Sequence, residues 1–413
     1  MGHISLKILL MVFTSCVFAD EQWPQYMGPN RDGSVAAPGL FDGQVALELI
    51  WTQPLGSGFS GIVVGGGKLY TMYADQSDAF EIFDKSLVPD TPTDSVMDVL
   101  SCFDAATGLK LWSYEYGASF PKVGSSEPGP LSTPVLDGNR VYGLGARGEL
   151  FCLEASSGKL VWARDIVKEL GAVQPDVGIT TSPLISGDLL ILNVGDRKDK
   201  GIAALNKKTG ELAWHLGDEK ISFQSPSLVT LMGRTQIVSL SETKMRGIDP
   251  ATGTVIWEKG SKSWIQLFAI GENQLLSGHY HGLTLHRIDD AGGIKVLEKW
   301  NNRNLVLEYD MPVHHKGYLY GFKGESVTCL NVATGEKVWS SPKAGRGMAI
   351  LVDGHLAITS EDGSFRIVRA WEKGYEERAS INVFEKSGLT EPSYADRVFY
   401  MRNYTHLAAV KVK

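Results

Sequence analysis

The sequence predicts an all-β chain folded as an eight-bladed β-propeller of four-stranded antiparallel blades. Three observations predict it. A ten-residue turn ending in Trp recurs five times without a gap, a strand–Gly turn–strand pattern precedes each copy, and a lone strand near the N-terminus complements an unfinished unit at the C-terminus.

Taken in chain order, the N-terminus comes first. Lys7 precedes an apolar run from Ile8 to Phe13, and Val17-Phe18-Ala19 matches a small-residue cleavage site. The expected division is a signal peptide at 1–19, an N-terminal segment at 20–45 and a single propeller domain at 46–413. Phe13-Thr14-Ser15-Cys16 also loosely matches a lipobox, so a lipid anchor at Cys16 is the alternative to cleavage after Ala19. The apolar run is too short for a transmembrane helix, and no later stretch is long enough to span a bilayer.

The repeat is carried by FDAATGLKLW (Phe103 to Trp112), LEASSGKLVW (Leu153 to Trp162), LNKKTGELAW (Leu205 to Trp214), IDPATGTVIW (Ile248 to Trp257) and LNVATGEKVW (Leu330 to Trp339). An Asp, Asn or Glu stands eight residues before each Trp, where its side chain can hold a turn. A Gly stands four before it, where a type I turn plus bulge requires positive φ. Each motif therefore joins the two outer strands of a blade, and its Trp is free to dock on the next blade. IDDAGGIKVLEKW (Ile288 to Trp300) carries the turn with three extra residues. AWEKGYEER (Ala370 to Arg378) keeps Gly374 but places Arg378 where Trp is expected.

Eight inner strands precede these hairpins, as in TPVLDGNRVYGLG from Thr133. The eighth unit runs out of chain at Lys413 after three strands. ALELIW (Ala46 to Trp51) is a strand with no blade ahead of it, so it completes the last blade and removes an open edge. Seven blades is the alternative if the seventh unit is irregular. The structural tryptophans are thus Trp51, Trp112, Trp162, Trp214, Trp257, Trp300 and Trp339.

Cys102, Cys152 and Cys329 each precede a blade-ending Trp by ten residues. Equivalent positions in different blades are too far apart to bridge, so these are expected to be buried thiols. Formal net charge is -7 with no dense basic block, which argues against nucleic-acid binding. No hydrolase, zincin or P-loop motif is present. His279 and His281 alternate on a strand, and His314 and His315 are adjacent. Both sets are expected to be solvated or hydrogen-bonded rather than metal-ligating, and no metal site is assigned.

Ligand contacts are expected at the channel mouth, where the inner strands begin: Ser60, Ser132, Thr181, Gln224, Gln266, Asp310, Arg346 and Glu391. On the same face, the segment between Tyr73 and Ser101 is an acidic excursion. It carries Asp75, Asp78, Glu81, Asp84, Asp90, Asp94 and Asp98 against Lys85 alone. Long loops on a rigid scaffold frequently carry function, so a role in partner binding is expected.

The D-x-x-T-G-x-x-x-W blade ending resembles the repeat of pyrroloquinoline-quinone-type propellers, over nearly the whole mature chain. WPQYMGPNRDG (Trp23 to Gly33) resembles the opening of many secreted bacterial propellers of this type. The resemblance implies one of two roles: a quinone-dependent dehydrogenase, or a non-enzymatic scaffold like the BamB-type subunit of the outer-membrane protein assembly machine. The dehydrogenases resemble one another in a vicinal Cys-Cys disulfide, a bound calcium and an Asp base. This chain lacks adjacent cysteines and a compact acidic cluster. The expectation is therefore a non-catalytic, periplasmic or secreted scaffold that binds envelope proteins or peptides and takes no cofactor. Quinone-dependent oxidoreduction is the main alternative. Carbohydrate binding, through Trp264, Tyr280 and Tyr309, is another.

Overall fold

The computed structural model describes residues 22–75, 96–119, 129–175, 177–195, 200–217, 223–241, 243–261, 266–279, 282–290, 293–305, 311–343, 345–386 and 390–413. Eight antiparallel sheets form a ring. Blade 2 shows the pattern: inner strand Val135–Asp137, then Arg140–Leu144, Glu149–Glu154 and outer strand Leu160–Asp165. The inner strands of blades 1 and 3 to 8 are Val63–Gly65, Leu184–Ser186, Ser227–Leu231, Gln266–Ile270, Val313–His315, Gly347–Val352 and Ser393–Ala395. The last blade closes as expected. Leu47–Pro54 pairs antiparallel with His406–Val412, so the N-terminal strand is its outer strand.

The turn chemistry works as the residue types require. Asp104 Oδ1 accepts from the Thr107 N–H at 2.9 Å, Asn331 Oδ1 from Ala333 at 2.8 Å, and Asp249 Oδ1 from Ala251 at 2.9 Å. Gly108, Gly158, Gly210, Gly253 and Gly335 all have φ between 71° and 74°. A second reason for Gly appears only in three dimensions. A methyl group at Gly210 would lie 2.9 Å from the Trp162 ring, and one at Gly158 would lie 2.5 Å from Trp112. Each of these glycines is the floor on which the preceding blade's Trp lies. The indole Nε1 then donates to the carbonyl next to the turn's first residue: Trp51 to Ala105, Trp162 to Lys207, Trp214 to Pro250 and Trp300 to Val332.

Three tryptophans depart from this pattern. Trp339 keeps the bond, to Trp371 O at 2.9 Å, but a methyl group at Gly374 would have no atom within 4 Å. Trp112 Nε1 has no partner, and the equivalent carbonyl, Ala155 O, accepts instead from the Tyr70 hydroxyl at 3.0 Å. Trp257 turns back onto its own blade and donates to Gln236 Oε1 at 2.6 Å. Its expected floor is the stretched turn of blade 5, whose extra residues break the Gly spacing.

Strand register corrects one expectation. Every outer strand carries a bulge just before its Trp, and the Trp then pairs with a residue of the third strand: Cys102 with Trp112, Cys152 with Trp162, Cys329 with Trp339. The three thiols are free, buried and placed as small side chains beside an indole. In blade 7 the bulge falls at Arg378 and the Trp position is Ala379, paired with Ile367. Arg378 instead donates to Gly43 O at 2.7 Å.

The acidic excursion is also shorter than expected. Asp75 pairs with Met97, and Asp98 sits inside strand Met97–Asp104, buried. These two carboxylates belong to the ladder. Asp78, Glu81, Asp84, Asp90, Asp94 and Lys85 lie outside the described residues.

Candidate functional site

A central channel is expected in a propeller ring, and here the chain itself fills one end of it. The segment 22–45 runs across the inner strands. Trp23 and Val64 of blade 1 exchange backbone hydrogen bonds at 3.1 and 2.8 Å, and Leu136 of blade 2 donates to Pro24 O at 2.7 Å. Tyr26 and Met27 enter a cluster with Phe268 and Met311 of blades 5 and 6. Ser34–Val35 adds a parallel strand to blade 7, in register with Leu351 and Val352. Phe41 packs on His355 and Phe399 of blades 7 and 8. A single segment touching blades on opposite sides of the ring must cross the axis. Gly28 and Gly33, with φ of 78° and 73°, give it the turns needed to do so.

Arg31 is the centre of this strap and is 2% exposed. Its Nη1 donates to Pro183 O at 2.8 Å and Gln25 Oε1 at 3.3 Å, and its Nη2 to Ser182 O at 3.2 Å. The acceptors are neutral, and burial lowers the guanidinium to about 10. Tyr26 lies under it, 5.7 Å from ring centroid to guanidinium. Burial and the nearby Glu391 charge push the Tyr26 phenol well above its ordinary value. Tyr26 and Arg31 therefore stack on one another inside the ring, with Glu391 close enough for its charge to act on Tyr26.

Around the axis, hydroxyl groups fasten blade to blade. Gly61 N–H donates to Thr133 Oγ1 at 3.0 Å, Thr133 N–H to Ser182 Oγ at 2.9 Å, and Ser182 N–H to Ser225 Oγ at 2.8 Å. Gln224 Nε2 continues the series to Leu267 O at 3.2 Å, and Ser393 Oγ donates to Ile62 O across the closure. At that closure Arg402, fully buried, donates to Gly56 O, Met72 O, Thr71 Oγ1 and Ser60 O at 2.8–3.3 Å. Burial lowers its guanidinium to about 9.

The expected mouth residues thus fall into two groups. Ser60, Ser132, Thr181 and Gln224 are buried among these joints. Glu391 is half-buried and Arg346 is exposed. Gln266 opens its inner strand, its side chain being outside the described residues, as are Asp310, Trp264, Tyr280, Tyr309 and His281. His286 is buried, with Nε2 2.9 Å from Ser277 Oγ, and burial lowers it to about 4. His314 accepts from the Gly317 N–H at 3.3 Å, and His315 lines a cavity of about 260 Å³ between blades 6 and 7. Among the described residues no three His, Cys, Asp or Glu side chains converge as a metal site would require. Sequence reasoning missed Tyr26, Arg31 and Arg402. The first two lie in a recognisable motif, WPQYMGPNRDG, but nothing in its pattern says that it crosses the axis.

The residues do not fit a quinone held on the axis at the strap's level. Tyr26 and Arg31 stand there, and the three cysteines lie singly in blades 1, 2 and 6.

Residues 96–263 match the family model described as Outer membrane protein assembly factor BamB. The outer membrane protein assembly factor BamB of Moranella endobia (strain PCIT) is 20% identical over 246 residues, 59% of this chain and 52% of that protein. Quinohemoprotein alcohol dehydrogenase ADH IIB of Pseudomonas putida is 30% identical over 133 residues, 30% of this chain and 19% of that protein. The matches thus span about half of the first relative and a fifth of the second. Among solved structures, BamB from Moraxella catarrhalis superposes with TM-score 0.60 at 14% identity, covering 89% of this chain and 100% of that one. A europium-containing methanol dehydrogenase superposes with TM-score 0.64 at 11% identity, covering 94% and 98%. At these identities the structures share the fold. Among the described residues no helix is long and apolar enough to cross a membrane.

Proposed function

From a chain that belongs to the pyrroloquinoline-quinone-like propeller repeat family, with BamB-like relatives, we propose a non-catalytic scaffold that binds protein or peptide partners in the bacterial cell envelope. The observation that carries this reading is the strap: Tyr26 and Arg31 fill the axis where a propeller would otherwise hold a small ligand, which leaves the mouth-face surface for recognition. On that face Arg346 and Glu391 are the contact residues, and the acidic segment 76–95 is a further candidate. Export follows the N-terminal 1–19 signal, with Cys16 as the anchor if lipidated. A quinone-dependent oxidoreductase is the second reading, favoured by the Pseudomonas putida match.

Affinity capture from cross-linked envelope extract tests the scaffold. The full chain is expected to retain a partner that a chain lacking 76–95, or carrying Arg346→Glu with Glu391→Lys, does not. Equal recovery by all three would count against the reading. Titration with pyrroloquinoline quinone and calcium tests the second reading. A saturable new absorbance band, with turnover of an alcohol, would replace the scaffold by the enzyme.

A further inference from the structure

The seam between blades 1 and 2 holds two carboxyl groups that neither the joints nor the mouth uses. Asp98, in strand Met97–Asp104 of blade 1, is 2% exposed, and its Oδ1 has no hydrogen-bond partner. It pairs across the ladder with Gly117 of the outer strand. From blade 2, Glu149 reaches into the same place. A methyl group at Gly117 would lie 2.6 Å from Glu149 Oε1, and one at Gly145 would lie 2.4 Å from its Oε2. The two glycines make the room that brings Glu149 across the seam beside Asp98.

The groups facing the pair come from both blades. Blade 1 supplies Tyr116, whose hydroxyl is buried without a partner, and Ser119. Blade 2 supplies Arg147, whose Nε and Nη2 donate to Ala118 O and Ser119 O at 3.0 and 3.2 Å, and whose backbone N–H donates to Glu149 Oε2 at 3.2 Å. Asp165 adds a further negative charge near Glu149, and Lys168 a positive one. A second carboxylate beside a buried one makes it harder to ionise. Burial, reinforced by Glu149, pushes Asp98 up to about 7 against the opposing Ser119 hydroxyl and Arg147. Burial likewise raises Glu149.

We propose that Asp98 and Glu149 share one proton and latch blade 1 to blade 2, so that its loss loosens the strands on which the acidic excursion is built. The direction follows from linkage. The folded seam holds a proton that the opened seam releases, so the latch is complete in acid and weakens as pH rises through about 7.

Native-state hydrogen exchange on the full chain, corrected for intrinsic rates, tests it. Amides of 97–104 and 149–154 are expected to open about tenfold more at pH 8 than at pH 6, as release of one proton requires. Asp98→Asn is expected to abolish that dependence, and Glu149→Gln to move its midpoint to lower pH. Equal opening of the wild type at both pH values would overturn the latch, as would an unchanged dependence in Asp98→Asn. If Asp98→Asn fails to fold, infrared difference spectra of the wild type decide. A protonated carboxyl band present at pH 6 and lost by pH 8 supports the pair, and its absence at pH 6 refutes it.

Discussion

Replacing Trp162 by Ala is the sharpest test of how the ring holds together. Trp162 is 8% exposed, lies on Gly210 of the next blade and donates to Lys207 O at 3.1 Å. A buried indole hides about 150–250 Å², which at about 25 cal/mol per Å² is worth roughly 4–6 kcal/mol. Partial collapse of the gap brings the expected loss to about 3–5 kcal/mol. The assay is a shift in denaturation midpoint at unchanged slope. Gly210→Ala, at φ 72°, pays the left-handed cost of about 1–2 kcal/mol and also pushes its methyl into the indole. If the Trp is seated on that glycine, the double mutant loses less than the sum of the singles, since removing the ring relieves the clash. Additivity within about 0.5 kcal/mol, or a Trp162→Ala loss under about 1 kcal/mol, would refute the docking argument.

Other expectations follow from single contacts. Trp112→Phe should cost about 1 kcal/mol less than Trp162→Phe, because only the latter gives up an indole hydrogen bond; paired denaturation curves check this. Arg402→Met should cost about 3 kcal/mol or more by stranding the Gly56, Met72 and Ser60 carbonyls at the closure. Limited proteolysis should then find the first cleavages near the two termini, and early cuts in blades 3 to 5 would contradict it. His286 titrates at about 4 in the fold, below its ordinary value, so its contribution is complete above about pH 6.5 and is lost as pH falls through 4. An NMR titration in which its ring protonates near pH 6.5 would show that the Ser277 site is open to water.

Much of this fold was legible because its information is local. Asp104, Thr107, Gly108 and Trp112 lie within one hairpin, so their spacing survives as a string of letters, and Trp51 betrayed the closure by lacking a blade of its own. Three things were not legible for a common reason. The bulge that moves the Trp position of blade 7 from Arg378 to Ala379 is a matter of strand register, and register depends on both strands. The burial of Ser60, Ser132, Thr181 and Gln224 depends on how closely neighbouring inner strands approach. Trp23 to Gly33 has neither a period of two nor one of 3.6, since it pairs in turn with different blades instead of with one partner strand.

The odd chemistry of blade 7 follows from where the ring is joined. Five of the blade-ending tryptophans use the Gly turn of the next blade as their floor, and that turn exists only where the third and outer strands are one hairpin. Blade 8 takes its third strand, His406–Val412, from one end of the chain and its outer strand, Leu47–Pro54, from the other. It therefore has no such turn, and a Trp at position 379 would find no floor. What lies there is the end of the strap, with Phe41 packed on Phe399, Gly43 O facing Arg378, and Ala46 O accepting from Lys413. A small residue at 379 and a donor at 378 suit that surface. The segment that fills the axis and the strand that closes the ring are thus one continuous stretch, and pulling the strap from the axis would strain the closure at Arg378 and Lys413.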